Sequence, residues 1–545
     1  MVDLSSLLKG VADGATQNAQ ALAAVARSGL LNPERPDKLA RMGAEVARRG
    51  PFGGACSAAA IRWGDRPALT DELGTLTYRE LDRRSNAVAR AWAGDGMQPG
   101  DGIAILCRNH RGFLDASFAA AKLGLRIVFM NTEFAAPQIE DVCKREGVGT
   151  LVFDAEYDDR APGWAGRHFR AWTDGEGLGG AQASLEELIA ANSGDPVPVP
   201  SQKPTIVMLT SGTTGAPKGA PRQESGSLVT LGALFDRVPF RTGEVTYIAP
   251  PFFHALAFAT LALALSMGSR IVTRRRFSPE DFLASLAEER VSTAVVVPAM
   301  LQRSYELGDE VVRSHDTSAL RIVFCSGSQL PGPTAIKTLD LFGDVLYVLY
   351  GSTEVAFASI SVPADHRAAP ASVGKVTLGT VVRLLDDEGR EVARGQPGRI
   401  FVSNGIEFGG YTDGVTKEVI DGAMSSGDIG HFDAEGRLFI DGRDDEMIVS
   451  GGENVFPQEV EELLMARDDV AEVAVIGVDD DDFGQRLAAY VVPIAGAIPS
   501  AEQIRTHVKQ NLARYKVPRD VHFIDELPRN ATGKIVKREL ADGRG

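Results

Sequence analysis

The chain has 545 residues, is 44% hydrophobic and 24% charged, and carries a formal net charge of −16, an ordinary composition for a globular protein with room for several cores. That balance argues against a nucleic-acid footprint, so any polyanion it binds is expected to be small and held by a local nest of donors. Cys56, Cys107, Cys143 and Cys325 lack metal-ligand spacing, which points to buried thiols in a reducing cytosol.

The opening Met1-Val2-Asp3-Leu4 has no basic region and apolar core of a signal peptide, and the longest apolar stretch, Ala255 to Leu265, is too short to span a bilayer. A cytoplasmic protein is expected, at most peripherally bound to a membrane. Residues 1–50, rich in Ala and Arg at helical spacing, read as a helical extension ending at the breaker Arg48-Arg49-Gly50-Pro51. Strand-like runs Gly102 to Cys107, Arg126 to Met130 and Thr150 to Phe153 then alternate with helical runs Gly112 to Leu123 and Gln138 to Glu146. This is the pattern of an α/β fold with parallel strands.

The apolar, β-rich Thr205-Ile206-Val207-Met208-Leu209 leads into Thr210-Ser211-Gly212-Thr213-Thr214-Gly215-Ala216-Pro217-Lys218-Gly219. Three glycines that tolerate positive φ let successive N–H groups converge on one anion, and the hydroxyls and Lys218 add donors and charge. The stretch reads as a phosphate-binding loop at the end of a buried strand, where open α/β sheets bind ligands. Its spacing matches neither a Walker loop nor a dinucleotide G-x-G-x-x-G.

Further on, Ser278 and Pro279 mark a helix start, followed by strands Thr293 to Val297, Arg321 to Cys325 and Val345 to Leu349. Beyond about residue 375 the texture changes to turn-punctuated β pairs, including His431-Phe432 with Leu438-Phe439, as expected of a small antiparallel subdomain. After the charged run Asp441 to Glu446 comes a compact unit, with a helix from Pro457, strands Val473 to Val478, Leu487 to Val492 and Val521 to Ile524, and a helix Ala501 to Leu512. The expected organisation is an extension over 1–50, a large domain over 51–444 and a small lobe over 445–545. The expected fold is α/β: a large multi-subdomain N-terminal domain of parallel sheets with helices plus a small antiparallel β subdomain, and a small α+β C-terminal lobe.

Four spaced elements coincide: the loop at 210–219, Tyr350-Gly351-Ser352-Thr353-Glu354, Ser426-Gly427-Asp428 with Gly442-Arg443, and Gly533-Lys534. Over residues 50 to 545 the ordered set resembles the adenylate-forming superfamily of acyl-CoA synthetases, adenylation domains and luciferases, and bacterial fatty acyl-CoA synthetases in particular. The resemblance implies activation of a carboxylic acid by ATP to an acyl-adenylate, release of pyrophosphate and transfer of the acyl group to a thiol, with Mg²⁺ as metal and CoA as co-substrate.

By that likeness Thr210, Ser211, Gly212, Thr213, Thr214, Gly215 and Lys218 hold the β- and γ-phosphates. Glu354 and Thr210 serve the metal, a hard cation that prefers oxygen. Thr353 bonds the α-phosphate; Tyr350, with Gly327-Ser328-Gln329, sandwiches the adenine, and Gly351 and Ser352 also belong to the nucleotide site. Asp428 accepts the ribose hydroxyls with help from Arg443, and Lys534 bridges carboxylate and α-phosphate as the catalytic residue. His254, in Pro250-Pro251-Phe252-Phe253-His254, matches the acyl-pocket histidine; a satisfied core histidine is the other reading of it. The lobe beyond Asp445 is expected to rotate between half-reactions, exchanging Lys534 for Ser450-Gly451-Gly452-Glu453.

The sequence departs from the family pattern at Ser426, where Thr is usual, at Val348 and Val449, and at Pro221-Arg222. The apolar surroundings of His254 suit a medium- or long-chain fatty acid; an aryl or branched acid, or an acyl-AMP ligase that loads a carrier protein, are the alternatives. The short interval between Glu354 and Ser372-Val373-Gly374 leaves little room for the insertion of acyl-AMP ligases, which favours CoA. A light-emitting oxygenase and a non-catalytic nucleotide-binding relative share the motifs, although the latter is expected to have lost Glu354 or Lys534. A homodimer is a family expectation only.

Overall fold

The computed structural model describes residues 4–160, 166–173, 181–210, 218–221, 228–352, 354–404, 417–444, 448–450, 453–480, 484–512, 514–530 and 534–541. The chain forms two compact units, the first built on Met1–Val296 and Leu307–Val323, the second on Val297–Glu306, Phe324–Ile406 and Lys417–Gly545. The fold is α/β, with parallel sheets and helices over most of the chain and a smaller, largely antiparallel C-terminal part.

In the first unit a seven-stranded sheet runs in the order Ala183–Ser184, Arg167–Trp172, Val148–Asp154, Gly102–Leu106, Arg126–Phe129, Thr205–Thr210, Lys218–Pro221. Every pair is parallel except the last, which returns antiparallel. Gly102–Leu106 is buried at every position, as expected of a strand covered on both faces. A second group of strands places Val245–Ile248 between Arg270–Val272 and Thr293–Val296, all parallel, with Pro67–Asp71 beyond Arg270–Val272.

Local chemistry sets the helix starts. Thr77 and Glu80 form a reciprocal capping box on Tyr78–Gly94, and Ser278 Oγ accepts from Asp281 N–H at the head of Pro279–Glu288. The N-terminal stretch folds as Leu4–Arg27 and Pro36–Trp63. At the expected breaker Gly50 leaves helical geometry with φ of 80°, and Pro51 starts the helix again. Beside it, buried Arg49 donates to the carbonyls of Lys122 and Val197 at 3.0 and 2.6 Å.

In the second unit, Val381–Leu385, Gly398–Ser403, Ala423–Phe432, Val419–Ile420 and Leu438–Arg443 form an antiparallel sheet. His431 faces Phe439 and Phe432 faces Leu438, the pairing read from the sequence. Farther along, Val470–Asp480, Gly484–Pro493 and Asp520–Phe523 carry helices Pro457–Met465 and Ala501–Asn511 over a core that includes Val460, Leu464, Val475, Val491, Ile504 and Val508. Among the described residues no helix is long and apolar enough to cross a membrane.

Candidate functional site

In the first unit, Thr210 ends a buried parallel strand and pairs across the antiparallel return with Lys218. The two ends of the expected phosphate loop are thus pinned together at the carboxyl edge of the sheet. Ser211, Gly212, Thr213, Thr214 and Gly215, which make up the loop, lie outside the described residues.

His254 is the N-cap residue of the apolar helix Ala255–Ser266, but its side chain makes no capping bond. Its Nε2 is buried without a hydrogen-bond partner, and burial lowers the imidazole to about 4, so the ring is neutral at physiological pH. The ring lies 4.4 Å from that of Phe253. The turn that presents it is held by a residue sequence reading did not single out: Asn109 donates to Pro250 O at 2.8 Å and accepts from Phe252 N–H at 2.7 Å. These partners lie more than 140 residues away in the chain, and no short motif marks the Asn. Phe252 packs on Phe113, and Phe258 on Phe52 and Phe129.

The same sheet edge carries Cys107, His110 and Asp154, whose ligating atoms cluster closely enough for a metal. The bonding argues otherwise. His110 Nδ1 accepts from Gly112 N–H at 3.0 Å and Nε2 bonds Asp154 at 2.8 Å, which assigns the proton to Nε2 and leaves no lone pair free. Nearby, Glu156 takes guanidinium bonds from Arg108, Arg275 and Arg276 at 2.7 to 2.8 Å, which hold its carboxyl down at about 2 against the cost of burial.

In the second unit the antiparallel register sets Asp428 opposite Arg443, and Arg443 Nη1 reaches Asp428 Oδ1 at 3.2 Å. The Tyr350 hydroxyl donates to Asp428 Oδ2 at 2.6 Å and lies 3.1 Å from Ser426 Oγ, which in turn accepts from Asp428 N–H. Burial, then the adjacent Asp428 charge, push the Tyr350 phenol well above its usual value, so it remains a donor. Tyr350 and Arg443, from separate motifs, thus converge on the Asp428 carboxylate, and Ser426 braces its backbone. Ser426, where the sequence departs from its family pattern, keeps the hydroxyl that this network uses.

Gly351 lies against the following turn: a Cβ there would fall 2.0 Å from Ala356 O. Ser352 Oγ accepts from the N–H groups of Glu354 and Val355, which fixes the loop bearing half-buried Glu354; Thr353 lies outside the described residues. Gly327 and Ser328 precede Gln329, whose Nε2 donates to Glu462 Oε1 at 2.7 Å. Lys534 is exposed. Its backbone is tied to Asn530 on both sides, and among the described residues its ammonium makes no bond to the Asp428 cluster.

A family model described as AMP-binding enzyme matches residues 56–412, and one described as AMP-binding enzyme C-terminal domain matches residues 459–534. The chain is 30% identical over 499 residues to the fatty acid–[acyl-carrier-protein] ligase ScoC of Streptomyces coeruleorubidus, covering 87% of this chain and 93% of the relative. It is 33% identical over 472 residues to a feruloyl-CoA synthase of Amycolatopsis sp, covering 85% and 93%. Among solved structures, ATP-bound MatB from Rhodopseudomonas palustris matches with a TM-score of 0.78 at 25% identity, covering 90% of this chain and 99% of that one.

Proposed function

This chain belongs to the AMP-binding, adenylate-forming enzyme family, and we propose that it is an AMP-forming acyl-CoA ligase whose preferred acid is a medium- or long-chain fatty acid. The observation that carries the reading is the Tyr350–Ser426–Asp428–Arg443 cluster. Asp428 is oriented by Tyr350 and Arg443 with lone pairs left over, which suits a vicinal ribose diol.

In the first half-reaction a carboxylate oxygen attacks the α-phosphorus of ATP, and the bond to the bridging oxygen breaks to release pyrophosphate. Asp428 and Arg443 fix the ribose. Tyr350, Gly351 and Ser352, with Gly327, Ser328 and Gln329, border the adenine. Thr353 bonds the α-phosphate, and Ser211, Gly212, Thr213, Thr214, Gly215 and Lys218 take the leaving pyrophosphate. Lys534 supplies a compact positive charge between carboxylate and α-phosphate, stabilising charge that develops in the transition state. Glu354 and the Thr210 hydroxyl offer the oxygen ligands Mg²⁺ prefers, and that ion when bound neutralises phosphate charge. In the second half-reaction the CoA thiol loses its proton and attacks the acyl carbon, and AMP leaves; the lobe presents Ser450-Gly451-Gly452-Glu453 for this step. Neutral His254 sits beside the acyl chain.

The aromatic wall of Phe252, Phe253 and Phe258 supports the aliphatic acid. A second reading, an aryl acid, has its own support: the buried Nε2 of His254 is a polar atom suited to a ring substituent, and the chain resembles a feruloyl-CoA synthase. Pyrophosphate release and thioester formation with acids from C2 to C18, benzoate and coumarate separate them. Turnover highest with C8 to C18 acids is expected; highest turnover with coumarate would replace the aliphatic reading with the aryl one, and pyrophosphate without thioester would indicate a carrier-protein acceptor.

A further inference from the structure

The helix Pro457–Met465 and its surroundings carry an unequal set of carboxylates. Glu459 pairs with Lys516, Glu461 with Lys537 at 2.9 Å, and Asp441 with His431 at 2.8 Å. Glu462 has no cation among the described residues. Its close partner is the Gln329 carboxamide at 2.7 Å, and the second, Gln458, is 3.5 Å away. Gln458 spends its amide instead on Ile440 O at 2.5 Å. Burial together with Asp441, Glu461 and Glu459 raises the Glu462 carboxyl above its ordinary value, so this acid sits where charge is disfavoured and a neutral amide is its main support.

Gln329 belongs to the loop Gly327-Ser328-Gln329 proposed to border the adenine, while Glu462 belongs to the C-terminal lobe. One amide–carboxylate bond therefore joins the nucleotide loop to the lobe, in an arrangement where the Lys534 ammonium is exposed and makes no bond to the Asp428 cluster. We propose that Glu462 is a positioning residue: through Gln329 it latches the lobe in the position from which the thioester step proceeds, and its release lets Lys534 approach the nucleotide. The latch itself stands on the geometry; its kinetic consequence rests on the two-step reaction proposed above. A bond to a charged group is strong enough to bias two lobe positions yet weak enough to break in each cycle.

The test uses fluorescent labels at Asp344→Cys and Glu502→Cys, whose native side chains are 71% and 81% exposed; all four native cysteines are buried. Energy transfer is read in the full-length protein. Gln329→Ala and Glu462→Leu should each shift the transfer distribution equally, and the double variant should shift it no further. An unchanged distribution, or shifts that add, would overturn the latch. In parallel, Glu462→Leu should lower the ratio of thioester formation to acid-dependent pyrophosphate release several-fold, and Glu462→Gln, which keeps an acceptor, should recover part of it. A shifted distribution with an unchanged ratio would overturn the kinetic role. Absence of thioester in every variant, wild type included, would instead refute the ligase reading, and the transfer distribution would still decide the latch.

Discussion

Two histidines at helix starts in the first unit, His110 buried and His254 half-buried with its Nε2 covered, differ in what their rings do. His110 caps Arg111–Lys122 with Nδ1 and bonds Asp154 through Nε2; both nitrogens are spent on holding the sheet edge together. His254 occupies the equivalent position before Ala255–Ser266, yet makes no capping bond and leaves Nε2 without a partner. A satisfied buried polar group is scaffold, whereas an orphaned one in an apolar wall costs stability and calls for a ligand. Asp428, which keeps accepting capacity after Tyr350 and Arg443 are bound, is placed with His254 on the functional side by the ligase reaction proposed above.

Substitutions can break or sharpen that division. The largest effect should be on the functional side: Lys534→Ala should lower acid-dependent pyrophosphate release by about 10²- to 10³-fold, the cost typical of losing one transition-state charge stabiliser, with urea unfolding unchanged because the side chain is exposed. The scaffold counterpart is His110→Ala, which strands the Gly112 N–H and leaves Asp154 Oδ1 without its partner, the Arg108 N–H still bonding Oδ2. It should cost about 3 kcal/mol in urea unfolding, and a loss under 1 kcal/mol would dissolve the contrast. Asp428→Ala should weaken AMP binding in calorimetry by about 10- to 100-fold, corresponding to about 1.5–3 kcal/mol for hydrogen bonds to a charged group.

His254 makes a pH prediction. Its folded value of about 4 lies below the ordinary histidine value of about 6.5, so between them the unfolded chain binds the extra proton. The contribution to stability is complete above pH ~6.5 and is lost as pH falls toward the folded value. His254→Gln should remove this part of the acid sensitivity measured by thermal unfolding between those limits; an identical pH profile would show the ring to be solvated. The smallest effect belongs to Ala356, whose φ is 59°. Ala356→Gly should stabilise by at most about 1 kcal/mol, read as a small rise in urea midpoint.

Much of this was legible in the sequence because it rests on local pattern. Strands such as Val381–Leu385 and the Phe432–Leu438 pairing follow from alternation and turn residues, and the Ser278-Pro279 helix start follows from capping chemistry. What was not legible depends on distant partners. Asn109 acts on Pro250, Tyr350 reaches Asp428 some 78 residues on, and Gln329 meets Glu462; none of these leaves a periodic or spaced signature. The antiparallel return Lys218–Pro221 was also unread, because a four-residue strand beginning Lys-Gly and ending in Pro carries little strand signal.

The most direct test of the central claim is identification of the nucleotide products formed with ATP and a fatty acid in the absence of CoA. AMP and pyrophosphate in equal amounts, dependent on the acid and accompanied by enzyme-bound acyl-AMP, are expected. ADP and phosphate, or nucleotide turnover that ignores the acid, would contradict an adenylating ligase.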